Sequence, residues 1–282
     1  MTDLSGSHVL ITGAASGIGR SLARFCARHA SSVILWDIDG RALEEAAVEI
    51  SAEGGQAHPY TVDVSNREAV YSAASTVRKE VGDVRILVNN AGVVTGKSFL
   101  DCSDSEIQKT MEVNSLAHFW TVKAFLPSMI EADGGHIVTI ASAAGLMGVA
   151  RLADYSSSKF ANVGFHEALQ QELRLRNSPI RMTLVCPYFI NTGMFEGVRT
   201  RIPFLLPILG QEKVAKRIYK AIRSNRKRLF MPWLVYTVGP LRIFPVVVFN
   251  LVADILGVHH TMDAFLGRTD PARSEPGARH ES

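Results

Sequence analysis

Short apolar runs recur along this chain, each bounded by glycine, proline or a charged residue. Each is followed by a longer segment in which apolar positions return every three or four residues. The runs HVLITG (8–13), SVILWD (32–37), AHPYTVD (57–63), VRILVNN (84–90), GHIVTIAS (135–142) and IRMTLVCP (180–187) read as strands. Segments 17–30, 41–53, 66–81, 105–132 and 153–176 carry the helical period. Runs apolar at successive positions imply strands buried on both faces. Their alternation with helices predicts an α/β fold built on a doubly wound parallel sheet with right-handed crossovers.

The pattern changes near the C-terminus. Residues 1–228 read as one domain, 229–266 as an apolar helical extension, and 267–282 (GRTDPARSEPGARHES) as a disordered tail. A chain of 282 residues, 47% hydrophobic, can bury a core of that size. Lys+Arg 30 against Asp+Glu 27 is too balanced to argue for a nucleic-acid partner. Cys26, Cys102 and Cys186 lack metal-ligand spacing, and the adjacent His259 and His260 point apart, so no metal is expected. No apolar h-region precedes the first strand in MTDLSGSHVLITG, so a start near Met1 and a cytoplasmic location are expected.

Candidate chemistry begins at ITGAASGIGRSLA, where a strand turns into a helix. Gly13 allows a turn at positive φ, Gly17 lets backbone approach a pyrophosphate, and Gly19 permits close helix-to-strand packing. The helix N-terminus then faces the phosphates. Asp37 ends the second strand 18 residues beyond Gly19, about where an acid accepts hydrogen bonds from an adenosine ribose. The combination predicts a Rossmann-type dinucleotide site. A carboxylate at Asp37, with neither Ser16 nor Ile38 offering a cation, favours NAD over NADP; Arg20 is the nearest cation in sequence.

Tyr155 and Lys159 stand four apart in DYSSSKFANVGF, so on a helix both reach one site. Together with Thr12 to Gly19, N-N-A-G at Asn89 to Gly92, Asn114 in MEVNSLAHF and Ser142 in IVTIASAAG, the pair resembles the short-chain dehydrogenase/reductase family over residues 8 to about 195. NNAGVVTGKSFLDC, CPYFINTGMFEGV and LGVHHTMDAF extend the likeness to its retinol and 17β-hydroxysteroid branch. The resemblance implies Tyr155 as general acid and base, with Ser142 orienting the substrate oxygen. Lys159 would hold the nicotinamide ribose and Asn114 a water linking Lys159 to solvent. It implies cofactor contacts at Gly13, Ser16, Gly17, Ile18, Gly19, Asp37, Asp63, Asn90, Ala91, Gly92, Tyr155, Lys159, Pro187 and Thr192, the last bonding the carboxamide. It also implies a homodimer or homotetramer through helices 111–130 and 153–176. Plainer roles remain open: Ser142 as a strand-end cap, Asn114 as an amide bonding to backbone, Asp63 as a helix N-cap.

A tyrosine with an unperturbed pKa near 10 is a poor base at neutral pH. Lys159 and an oxidised nicotinamide would have to stabilise its phenolate, by roughly 4 kcal/mol to reach a pKa of about 7. The implied reaction is NAD-dependent interconversion of a lipophilic alcohol and its carbonyl. The alternatives are an NADP-dependent acyl or small-carbonyl reductase of the same fold, or a non-catalytic lipid-associated scaffold. KVAKRIYKAIRSNRKR (213–228) is basic and the extension after it is apolar and aromatic, which suggests peripheral contact with a membrane surface. Pro232, Gly239, Pro240, Arg242 and Pro245 break the apolar run, so it is too interrupted to span a bilayer. The same extension reads equally well as a pocket cap. Tyr188, Phe189, Met194, Phe195, Phe204, Leu205 and Leu206 are expected to form a lid over that pocket.

Overall fold

The computed structural model describes residues 2–267, so the expected tail beyond Gly267 lies outside the described residues. The apolar runs form strands β1 (His8–Thr12), β2 (Ser32–Asp37), β3 (Ala57–Thr61), β4 (Val84–Asn89), β5 (His136–Ile140) and β6 (Arg181–Pro187). Helices α1 (Gly17–Ala27), α2 (Gly40–Ala52), α3 (Arg67–Glu80), α4 (Asp104–Met111), α5 (Ala117–Glu131) and α6 (Ala153–Leu175) lie between them. All strand pairs are parallel, in the order β3-β2-β1-β4-β5-β6 with a seventh strand outside β6. Because the chain leaves β1 first to one side and later to the other, a crevice opens at the carboxyl ends of β1 and β4.

The period of the strands decides which helices cover which face. Val9, Ile11, Val33 and Leu35 pack on one side with Leu22, Leu43 and Ile50 of α1 and α2. Leu10, Ile34, Trp36 and Leu87 face the other side, against Val70, Val77, Phe125 and Leu169. Each fully buried Leu, Ile or Val contributes roughly 1.5–3 kcal/mol relative to exposure, so these two layers hold the sheet. β3 departs from the expected two-sided burial: it is an edge strand, only partly buried, and Pro59 is tolerated there because its missing N–H faces no further strand.

Three further features differ from the sequence expectation. The segment 105–132 is not one helix: α4 passes through a π turn at Glu112–Leu116 into α5. Its extra residue lets Asn114 turn inward to bond across to Val93 and Ser158. The seventh strand, β9 (Arg228–Met231), pairs with β6, so the sheet runs past the expected boundary at residue 228. Between these, β7 (Ile190–Asn191) and β8 (Leu209–Gly210) form a two-residue bridge.

The basic stretch is α7 (Gln211–Arg223), amphipathic, with Val214, Ile218 and Ile222 buried against α1 and its lysines and arginines outward. It therefore lies on the flank of the sheet, separated by β9 from the apolar extension. That extension is a 3₁₀ turn at Trp233–Thr237, then α8 (Val238–Leu241) and α9 (Val246–Ile255). Pro240 and Pro245 divide it into short pieces. No helix among the described residues is long and apolar enough to cross a membrane.

Candidate active site

The glycine turn at the crevice has no room for side chains. Gly13 adopts φ 66°, and a Cβ there would stand 2.9 Å from the Cα of Ala91. At Gly19 a Cβ would come within 2.0 Å of the Gly13 carbonyl oxygen. Gly17, at φ 54°, opens α1, and its missing Cβ faces the Thr192 side chain at 3.2 Å. The turn is held from the opposite strand: Asn90 Nδ2 donates to the Thr12 carbonyl at 2.9 Å, and the Thr12 hydroxyl accepts from the Asn90 and Ala91 N–H groups at 2.9 and 3.0 Å. This cradle fits a dinucleotide pyrophosphate at the start of α1.

Asp37 accepts from the Ala15 N–H at 2.9 Å through Oδ2 and from the Asp39 N–H at 3.1 Å through Oδ1, so the acid is locked beside the turn while still lining the cavity. Arg20 forms a two-point ion pair with Glu49, at 2.6 and 3.0 Å, while its Nη1 lies 3.5 Å from the Ala15 carbonyl of the turn. Asp63 lines the same cavity and accepts from the Ser65 N–H and hydroxyl. The N-cap of α3 is Asn66, which accepts from the Ala69 N–H at 3.0 Å, so Asp63 is not the cap. Asn89 points elsewhere, accepting from Thr121 inside the core.

Ser142, Tyr155 and Lys159 converge on the wall of this cavity, as do Ser16, Ile18, Gly92, Pro187 and Thr192. Ser142 stands at the end of β5 and accepts from the Ala144 N–H at 3.1 Å. Burial pushes the Tyr155 phenol up to about 12, with the Ser142 hydrogen bond working against that rise. Burial also brings the Lys159 ammonium down to about 8; its Nζ lies 5.6 Å from the Tyr155 ring centre and donates to the Ile140 carbonyl at 3.2 Å.

Burial disfavours the charged form of both groups, so the phenolate is harder to reach here than from an unperturbed tyrosine, and a positive charge close to the phenol matters all the more.

Asn114 is not on the cavity wall. Its side chain accepts from the Val93 N–H at 2.7 Å and donates to the Val93 carbonyl and the Ser158 hydroxyl at 2.9 and 3.0 Å. The amide thus ties Val93, next to the cofactor-side loop, to the helix carrying Tyr155 and Lys159.

One cavity of about 620 Å³ continues from the glycine turn past Tyr155 to the apolar extension. Tyr188, Phe189, Met194, Phe195 and Leu206 line it as expected, whereas Phe204 is 84% exposed and Leu205 is not on the wall. Phe195 meets Tyr155 and Phe189 edge to face, at 5.7 and 5.1 Å between ring centres, and so fixes the phenol ring from the substrate side. The sequence reading missed Met147, Val149 and Leu152 from the loop before α6, and the inward residues of α8 and α9. Their only signal in sequence was the position of that loop between Ser142 and Tyr155. Among the described residues no three His, Cys, Asp or Glu side chains are grouped as metal ligands.

A doubly wound sheet with a phosphate cradle at its crevice, opening onto a serine beside a buried tyrosine and lysine, defines an oxidoreductase of the nicotinamide-dependent type. The model of the short chain dehydrogenase family matches residues 7–202, and the chain belongs to that family. It is 49% identical over 268 residues to human epidermal retinol dehydrogenase 2, covering 94% of this chain and 86% of the relative. To estradiol 17-beta-dehydrogenase 11 from Pongo abelii it is 48% identical over 230 residues, covering 81% and 76%. A crystal structure of a short chain dehydrogenase/reductase from Burkholderia phymatum in complex with NAD matches with a TM-score of 0.78 at 27% identity, covering 96% of this chain and 99% of that one. A metagenomic short-chain oxidoreductase in complex with NADP matches at 0.68 and 29%, covering 81% and 96%.

Proposed function

We propose that this protein interconverts a lipophilic alcohol and its carbonyl with NAD as hydride carrier. The observation that carries the reading is the single cavity: its polar end is the glycine turn with Asp37, its middle holds Tyr155 and Ser142, and its far wall is apolar. When bound, an oxidised nicotinamide supplies the hydride acceptor and a positive charge. Tyr155 takes the hydroxyl proton of the alcohol, Ser142 orients the oxygen, and Lys159 stabilises the phenolate. Relatives named for retinol and estradiol support an apolar substrate of that size. Asp37 supports NAD, because a 2′-phosphate would meet a carboxylate while Arg20 is already paired with Glu49. The test follows NADH formation across retinol, steroid and long-chain alcohols. NADP(H) preferred by tenfold or more, about 1.4 kcal/mol, would overturn the cofactor reading, and activity confined to small polar carbonyls the substrate reading.

The apolar extension, which covers the cavity, supports a second part of the proposal, contact with a membrane surface. Leu241, Phe249, Val252 and Leu256 face the cavity, while Ile243 (86% exposed), Val247 (78% exposed), Val246 and Leu251 face outward from the same elements. From Gly197 to Ala253 the chain carries eleven Lys and Arg against one acid, Glu212, which suits anionic headgroups. Cosedimentation with anionic vesicles at low salt should be lost in the double variant Val247→Asp, Leu251→Asp; a protein that ignores such vesicles makes the extension a pocket cap alone. The same reading takes a homodimer or homotetramer through α5 and α6, where Phe119 and Ile130 of α5 and Leu116 just before it are exposed, and light scattering tests it.

A further inference from the structure

Past the reacting centre the cavity wall is almost wholly apolar. Beyond Ser142, Tyr155, Lys159 and Thr192, the polar side chains at its substrate end are Tyr188 and Thr237 alone among the described residues. Thr237 is exposed on the 3₁₀ turn, and its hydroxyl donates to the Leu234 carbonyl of the same turn at 2.7 Å. Tyr188 is half-buried and has no such bond.

Tyr188 directly follows β6, and its N–H donates to the Met231 carbonyl of β9 at 2.7 Å, so the sheet fixes where its side chain starts. The ring stands edge to face on Phe189, at 4.7 Å between centres. It packs against two buried clusters, one holding Phe230 and Val235 and the other Leu206, Ala253 and Val258. Val235 and all three residues of the second cluster line the cavity as well. The hydroxyl finds no hydrogen-bond partner in the protein among the described residues. It is not sealed in as the Tyr219 hydroxyl is, so it opens on the space that its ring lines. Burial pushes the phenol up and no charged neighbour acts on it, so it keeps its proton and presents a donor.

Such a donor in an apolar wall treats ligands unequally. A hydrocarbon tail that fills this end displaces water from the hydroxyl and returns nothing, which leaves a desolvated donor unpaired. A ligand oxygen at the same place restores the bond. Apolar pockets separate tails of different length only weakly, whereas a site that bonds a ligand oxygen discriminates strongly against the analogue lacking it. Phe189 and Phe195 stand edge to face in series from Tyr188 to Tyr155, which sets the two phenols apart along the cavity.

We propose that Tyr188 is a specificity-determining residue, and that the preferred substrate is a lipophilic alcohol with a second oxygen, hydroxyl or carbonyl, set away from the reacting carbon. This refines the lipid-alcohol reading above and rests on it for the reacting end of the molecule. Steroid alcohols with oxygen at both ends carry the required group; retinol does not.

Binding tests the proposal apart from turnover. Equilibrium dialysis, with and without NADH, compares estradiol with its analogue lacking the phenolic hydroxyl, and alkane diols of increasing length with the matching one-ended alcohols. The two-oxygen member of at least one pair should bind about tenfold more tightly, about 1.4 kcal/mol. Tyr188→Phe deletes only the unpartnered hydroxyl, so the fold is kept. It should weaken the two-oxygen ligand about tenfold and bind the one-oxygen ligand at least as well, because no donor is then buried unpaired. Pairs bound equally by the unsubstituted protein, or a preference that survives in Tyr188→Phe, overturn the proposal. So does a preference removed by Thr237→Val, which moves the contact to the 3₁₀ turn, or a parallel loss of NADH binding in Tyr188→Phe, which gives the hydroxyl to the cofactor. A protein that shows the preference in dialysis but oxidises neither member of the pair keeps the assignment of Tyr188 and loses the dehydrogenase reading.

Discussion

The two ends of the cavity are built on opposite principles. At the glycine turn the ligand surface is backbone, fixed by Thr12, Asn90 and Asp37 through hydrogen bonds of 2.9 to 3.0 Å, and the missing Cβ atoms leave no freedom. At the lid the ligand surface is side chains on short pieces of helix whose outer faces are apolar and exposed. On the proposed reading the first end takes the charged pyrophosphate and must be rigid to do so. The second would take an apolar alcohol, for which tight geometry brings little and an openable cover is needed. Tyr155 sits where the two meet, its phenol fixed by Phe195 from the lid side and influenced by Ser142 and Lys159 from the other.

The sharpest way to separate the ends is to remove the group between them. Tyr155→Phe deletes one hydroxyl and little packing, so turnover should fall by about 10²–10⁴-fold while NADH binding, measured by fluorescence, changes little. If the variant keeps more than about a tenth of normal kcat, Tyr155 is not the proton-transfer group.

A paired truncation compares the sheet with the lid directly. Leu35→Ala empties a fully buried site in β2 and should cost about 2–5 kcal/mol in denaturant unfolding. Leu251→Ala, on the outer face of α9, should cost no more than about 0.5 kcal/mol. Equal costs would mean that the lid's outer face is covered by something in solution, and light scattering on the same samples would show whether that is a second copy.

The same contrast governs what could be read from the chain. β1, β2, β4, β5 and β6 were legible because apolar residues at successive positions have one stable use in an α/β chain, and the glycine turn because only glycine fits Gly13 and Gly19. The split of α4 from α5 was not, since the π turn is drawn in by tertiary bonds from Asn114 to Val93 and Ser158 that no period records. β9 hid because a four-residue run between arginines and Pro232 carries no alternation of its own; it is a strand because β6 offers an edge. Composition found the apolar extension, but not which of its residues face inward, because prolines reset the helical phase at Pro240 and Pro245. The inward aim of Asn89 to Thr121, while Asn90 holds the turn as expected, depends on one residue of strand register.

The smallest effect tests how dry the meeting point is. Burial lowers the Lys159 ammonium from 10.5 to about 8, so between those values the folded protein binds fewer protons than the unfolded chain. Stability contributed by this group therefore rises with pH across that window. Cys26 and Cys186, pushed up to about 12 by burial, act the other way above about pH 9, and Tyr155 does so above about pH 10. Cys186 and Tyr155 lie near the Lys159 charge, so the comparison with Lys159→Met is read below about pH 9, before the thiols and phenols titrate. The stability of the unsubstituted protein relative to Lys159→Met should be flat from about pH 6 to 7, then rise by about 1 kcal/mol between pH 7 and 9, in denaturant titrations at each pH. A difference that stays flat to pH 9 would give Lys159 an ordinary proton affinity, and the lysine would then be well hydrated in the folded state.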